Sequence, residues 1–172
     1  MKRLIARKIT AFDKTVEQFI QECKDSGEFD NDQMQEICFG FEDDLKMEQV
    51  KVFANPKFDW EQIQQIRWGF ENGLTMEQVE VFAYPEFNDL QMEQIREGLE
   101  NGLSMEEVEF YATTEFDWEQ MFEIRYGLQN GLSIDEVKLY ADPDFDADYM
   151  EEIRLDLKNG LSIDEVEEKY NL

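Results

Sequence analysis

Residues 58–86 read FDWEQIQQIRWGFENGLTMEQVEVFAYPE, and this stretch holds the fold in miniature. Asp59 followed three residues later by Gln62 is a helix N-cap with a reciprocal partner at N3. Phe58 before the cap and Ile63 at N4 form a hydrophobic staple. Ile63, Ile66 and Phe70 then recur at helical spacing. Asn72-Gly73 ends the helix, because glycine takes the left-handed C′ conformation without steric cost, and Leu74 supplies the apolar contact just beyond. The spacing predicts a first helix over residues 60–72. Thr75, paired with Gln78, opens a second at once; Val79, Phe82 and Ala83 mark its buried side, and Pro85 forbids its continuation. Two helices joined by so short a turn are antiparallel neighbours.

The 29-residue unit recurs five times without insertion, opening at Phe29, Phe58, Phe87, Phe116 and Phe145. It fills residues 29–57, 58–86, 87–115, 116–144 and 145–172. A strict period of this length means that each unit is one supersecondary element stacked on its neighbours. The expected class is all-α: an αα-hairpin solenoid of five 29-residue repeats, right-handed, with an N-terminal amphipathic capping helix within residues 1–28. In that leading segment Ile5, Ile9, Phe12, Val16, Phe19 and Cys23 keep alternating 4-3 spacing. It reads as a cap on the first repeat or, alternatively, as a separate basic docking arm. Gly40, Gly69, Gly98 and Gly127 sit inside the first helices, where glycine costs roughly 0.5–1 kcal/mol against alanine. Their recurrence predicts a close backbone approach where one first helix crosses the next. In the last repeat Asp156 replaces the glycine, and Glu168 and Lys169 replace the pair seen as Leu139 and Tyr140. That exchange predicts a polar outer face.

Charge decides which functions survive. The chain has 42 acidic and 16 basic residues, no histidine, and a net charge of −26. Residues 1–28 hold six basic against five acidic residues; the repeats hold 37 acidic against 10 basic, a net of −27. With 42% apolar and 13% aromatic residues the chain can bury a core, so the charge does not signal disorder. Such a balance argues against direct nucleic-acid binding, which needs basic surface, and against anionic membranes. A basic partner fits. Cys23 and Cys38 are too few for a secreted disulfide framework and read as free thiols in a reducing compartment. The apolar run Leu4-Ile5-Ala6 is too short for a signal peptide, and no segment approaches a membrane span. The expected location is cytoplasmic.

Without histidine the commonest general base and metal ligand are missing, and neither cysteine has one to activate it. We expect no enzyme, no cofactor and no metal. Asp142, Asp144, Asp146 and Asp148 alternate like EF-hand ligands, but Ala147 stands where the loop needs glycine and Ile153 where it needs a bidentate glutamate.

Glu48, Glu77, Glu106, Asp135 and Asp164 lie in the first turn of each second helix, with Glu107, Glu136 and Glu165 beside them in the last three repeats. The helix dipole favours carboxylates there, by roughly 0.3–1 kcal/mol each. A dipole does not demand −27, and like charge at this density opposes folding. At a helix spacing of about 8–10 Å, five units span about 45 Å. The negative charge then falls at about one per 1.7 Å, the density of duplex DNA. These eight carboxylates are the candidate partner-binding residues, together with Trp68 and Tyr126. The last two belong to a varied position (Phe39, Trp68, Glu97, Tyr126, Leu155) that sets either specificity or packing. Arg67, Arg96, Arg125 and Arg154 recur once per repeat. They read as structural inter-repeat bridges between carboxylates of their own and the adjacent unit, since a planar fork suits two acceptors. Capture of phosphate is the alternative.

The phrases ENGLSMEEV at Glu100–Val108 and FDWEQM at Phe116–Met121 resemble a short acidic αα-repeat of uncharacterised phage and mobile-element proteins. That resemblance covers residues 29–172 and implies no chemistry. In charge, size and helicity the chain is similar to DNA-mimic inhibitors of restriction or CRISPR nucleases. The expected function is therefore non-enzymatic: binding and inhibiting or sequestering a basic protein, such as a nuclease or other nucleic-acid-binding protein. The alternative is a protein-protein interaction scaffold that binds a partner or peptide through a concave aromatic face.

Overall fold

A computed structural model of the protein describes residues 14–172. Among these residues there are eleven helices and no strand. α1 is Lys14–Ser26, α2 Asn31–Glu42, α3 Met47–Phe53, α4 Trp60–Glu71, α5 Met76–Glu80 and α6 Asp89–Glu100. α7 is Met105–Tyr111, α8 Trp118–Gln129, α9 Ile134–Val137, α10 Ala147–Lys158 and α11 Ile163–Tyr170. The described residues divide into two compact units, residues 14–79 with Ala83–Pro85, and Glu80–Phe82 with Glu86–Leu172. No helix among the described residues is long and apolar enough to cross a membrane.

Each sequence repeat makes one helical hairpin. The first helices, α2, α4, α6, α8 and α10, are all 12 residues long. Four of them begin in a complete capping box, Asp30 with Gln33, Asp59 with Gln62, Asn88 with Gln91 and Asp117 with Gln120. At the other end Gly73, Gly102, Gly131 and Gly160 turn the chain at φ between 89° and 97°, a region open only to glycine at low cost. Leu74 N–H then reaches back to the carbonyl of Gly69 at 2.9 Å, and Leu74 is buried. In the first repeat Asp44, at φ 65°, does the glycine's work.

In the first unit, α1 lays Phe19 edge-on against Phe41 at 6.0 Å and buries Cys23. Ile5, Ile9 and Phe12 lie outside the described residues. Ile37, Val50, Phe53, Phe58, Ile63 and Ile66 form that unit's interior. In the second unit α6, α8 and α10 pack side by side, and Met92, Ile95, Met121, Ile124, Met150 and Ile153 are fully enclosed. Each such side chain contributes roughly 1.5–3 kcal/mol by leaving water.

The mid-helix glycines answer to a different neighbour than their spacing predicts. A Cβ on Gly98 would overlap the Tyr111 hydroxyl, and one on Gly127 the Tyr140 hydroxyl; on Gly40 it would meet Phe53 at 2.7 Å. The close approach comes from an aromatic in or just after the same hairpin's second helix, not from the next first helix. The physical reason is the turn: two residues after a left-handed glycine bring the second helix directly over the first, and only a missing Cβ leaves room for a ring. The Tyr111 hydroxyl uses that room to donate to the carbonyl of Gln94 at 3.1 Å, and Tyr140 to that of Glu123 at 3.4 Å. Burial pushes both phenols well above their usual range, so they remain neutral donors.

Candidate functional site

The first-turn carboxylates sit where the caps of the short helices put them. Glu48, Glu77, Glu106, Asp135, Asp164 and Glu165 are exposed, and Glu107 and Glu136 half-buried. Glu107, Glu136 and Glu165 are engaged locally: each accepts from the backbone N–H and hydroxyl of its cap serine, Ser104, Ser133 or Ser162, at 2.7–2.9 Å. Those serine bonds, the backbone one foremost, hold the Glu136 and Glu165 carboxyls below the usual range. Asp135 is lowered by its bond to Lys138 at 2.8 Å.

The arginines lie inside, between 3% and 7% exposed. Arg67 reaches back 31 residues to Glu36 at 2.9 Å and forward to Glu71 in its own helix. Arg125 takes the same positions through Gln94 at 3.0 Å and Gln129 at 3.0 Å, with Glu97 also at 3.0 Å. Arg154 bonds Glu123 at 2.5 Å and Glu151 at 3.4 Å. Arg96 is forked onto both oxygens of Glu100 at 2.9 and 2.8 Å. With every guanidinium buried against acceptors, capture of a phosphate has no basis in this ladder.

Burying these cations changes the surface. Of the 37 carboxylates in the repeats, only Glu36 and Glu123 are buried, whereas four of the ten basic residues are. Thirty-five carboxylates and six lysines therefore lie outside the core, where Asp43, Glu71, Glu97, Glu100 and Glu151 pair with the buried arginines. Two of the six lysines, Lys138 and Lys169, are paired with Asp135 and Asp156.

The varied position of the first helices is less uniform. Trp68 is half-buried. Tyr126 is 37% exposed; it stacks on Phe122 at 5.6 Å, and the Arg154 guanidinium lies 4.8 Å from its ring centre. Phe122 and Trp118, at 36% and 38%, complete an aromatic row along α8.

Sequence reasoning read Gln62 at N3 as a capping partner but missed the second bond that the N3 glutamines of the first helices make. In each, the carbonyl oxygen accepts the cap residue's N–H, closing the capping box. The amide then donates to carbonyls where the repeat ends and the next one opens. Gln33 donates to Phe58 O at 2.5 Å, Gln91 to Phe116 O at 2.7 Å, and Gln120 to Phe145 O at 2.6 Å and Pro143 O at 3.0 Å. A signal was present. Glutamine and glutamate alternate freely at N3 of the second helices (Gln49, Gln78, Glu107, Glu136, Glu165), but the first helices use only glutamine in four repeats. A capping box tolerates either residue, so strict glutamine implies that the N–H is used.

Among the described residues no group of three or more acidic or cysteine side chains is placed to hold a metal ion. Asp146 is the N-cap of α10, and Asp142 accepts from the Asp144 N–H at 2.9 Å. Cys23 and Cys38 are both free, with thiols raised by burial. No protein-family model matches the chain, and neither a curated protein nor a solved structure matches it. The likeness to phage repeat modules and DNA-mimic inhibitors thus rests on the quoted residues and the charge alone.

Proposed function

We propose that the five hairpins form one αα-solenoid that acts without catalysis, binding and inhibiting or sequestering a basic nucleic-acid-handling protein by presenting a DNA-like field. The observation behind this reading is the asymmetry of burial. The fold buries the four arginines of the repeats and leaves all but two of the repeats' 37 carboxylates outside the core, so the only cations of the repeats outside the core are six lysines. Ordinary solubility does not require that direction. A sustained negative potential speeds capture of a cationic surface and is strongly screened by salt. The test is to measure affinity for basic DNA-binding proteins, nucleases included, across salt and in competition with duplex DNA. Affinity is expected to collapse between about 50 and 200 mM salt and to be lost to competing duplex. Binding indifferent to both would reject the proposal. Changing Glu77, Glu106 and Asp135 to their amides should weaken it measurably.

The exposed row Trp118, Phe122 and Tyr126 supports a second reading, an interaction scaffold, because tryptophan and tyrosine are enriched among residues that dominate binding energy. Under it, Trp118→Ala with Tyr126→Ala abolishes a partner's binding while the amide variants and salt leave it intact.

A further inference from the structure

On the first unit a groove of about 360 Å³ runs between α2 and α4, lined by Asp32, Gln35, Glu36, Phe39, Trp60 and Gln64. None of these belongs to the first-turn carboxylates discussed above. We propose that this groove is the docking site for an arginine side chain of the basic partner, an inference that rests on the proposed function and gives it an address.

The lining dictates the ligand's charge and shape. Two carboxylates, Asp32 and Glu36, share the groove with two aromatic residues, Phe39 and the 39% exposed Trp60. An anionic or neutral occupant would strip water from both carboxylates without compensation. A guanidinium supplies what is needed: a flat face for an indole, and N–H groups in its plane for carboxylates. The protein already builds this arrangement inward. Arg67 bonds Glu36 through Nε at 2.9 Å, with its guanidinium carbon 5.5 Å from the Phe39 ring. Arg154 repeats it, with Glu123 at 2.5 Å and the Tyr126 ring at 4.8 Å. The same pair, Glu36 and Phe39, lines the groove from outside, where Asp32 adds the second negative charge that a second cation requires. Glu36 commits Oε2 to Arg67, and at 5% exposed its carboxylate is held in place by the packed helix.

The test uses the full chain and the blocked tripeptide acetyl-Gly-Arg-Gly-amide, with lysine and citrulline versions, followed through the Trp60 indole N–H by NMR. The three indoles are told apart by single Trp→Phe variants. The arginine peptide should shift Trp60 saturably, the lysine peptide should bind about three- to fivefold more weakly, and citrulline, equal in shape but uncharged, should not bind. Asp32→Asn should weaken the arginine peptide about fivefold; Trp60→Ala should remove its binding and Trp60→Phe keep most of it, both read by isothermal titration calorimetry because these variants lack the reporting indole, and circular dichroism checks that each variant folds. A citrulline shift equal to arginine's, or no effect of Asp32→Asn, overturns the site. A second arm measures capture of an arginine-rich DNA-binding protein. If Asp32→Asn/Trp60→Ala captures it as wild type does while the Glu77, Glu106 and Asp135 amide variant does not, the groove inference falls and the field reading stands. If the tripeptide binds at Trp60 but no basic protein is captured, the groove takes only free small cations, and docking and the proposed function fall together. Loss in the groove variant, with tripeptide binding intact in the amide variant, supports both.

Discussion

The hairpins of residues 116–144 and 145–172 share a 12-residue first helix and differ at the positions of Gly127, Tyr140 and Gln120. In the first, Gly127 leaves room for Tyr140, which is fully buried and donates to Glu123 O. In the second, Asp156 stands at the glycine's position and Lys169 at the tyrosine's, and the two form an ion pair at the surface joined by the Tyr170 hydroxyl at 2.6 Å. Gln120 closes its own capping box and binds the next repeat; Tyr149, in its place, packs edge-on against Phe145 at 4.8 Å and Tyr170 at 5.5 Å. Glu123 is buried under Arg154, while its counterpart Glu152 is exposed. The difference teaches that the repeat has two separable layers. Caps, staple and left-handed glycine make the hairpin, and a second set of residues joins it to another.

Breaking the contrast at its strongest point gives the largest effect. Tyr140→Ala should cost about 3–5 kcal/mol in denaturant unfolding, because an enclosed ring is lost and a cavity remains. Lys169→Ala, at the same register, should leave the unfolding midpoint nearly unchanged. Equal losses at the two positions would erase the distinction.

The joint itself comes next. Arg154→Ala strands Glu123 in the interior and should cost about 3–5 kcal/mol near pH 7. Arg125→Ala should cost less, since its inward partner Gln94 is neutral. Burial already raises the Glu123 carboxyl above its usual range, so the folded state prefers the neutral acid more than the unfolded chain does. The destabilisation of Arg154→Ala should therefore shrink as pH falls through that raised value. A loss independent of pH would show that charge is not its cause.

Gln120→Glu keeps the capping box but turns a carboxylate toward the carbonyls of Phe145 and Pro143. It should cost about 1–3 kcal/mol, the penalty of buried polar groups left unmatched. The charged change Tyr149→Glu should do less harm, and measuring both sharpens the two-layer view.

Gly127→Ala should show the smallest loss. Overpacking against Tyr140 costs about 1–3 kcal/mol, offset by about 0.5–1 kcal/mol of helix propensity. Adding Tyr140→Phe should recover much of it, because the next atom of that ring lies 3.3 Å from the new methyl. Failure of that rescue would mean the glycine serves something other than the ring.

Much of this was legible in the residues. Asp59, Gln62, Asn72-Gly73 and Thr75 mark the ends of α4 and the start of α5 within a residue, because caps and turns are local and their chemistry is contained in four or five positions. The arginines were visible as a register, and their partners only as a class. Glu36, Gln94 and Glu123 lie 31 residues upstream of the arginines they hold, and nothing local distinguishes them from the exposed glutamates around them. The glycines were legible as close approaches, yet the ring they admit was not, since which helix crosses a glycine depends on the path of the turn.

From the sequence alone came the period, the helices, their caps and an acidity too large for the dipoles to explain. Short-range hydrogen bonds and hydrophobic spacing determine those, and both are written along the chain. Only the tertiary structure decided which charges go inside. Packing hairpin on hairpin within each unit sets Arg67, Arg125 and Arg154 against Glu36, Gln94 and Glu123 and leaves the lysines and most carboxylates of the repeats outside, and which charges a partner meets is a property of that partition rather than of composition.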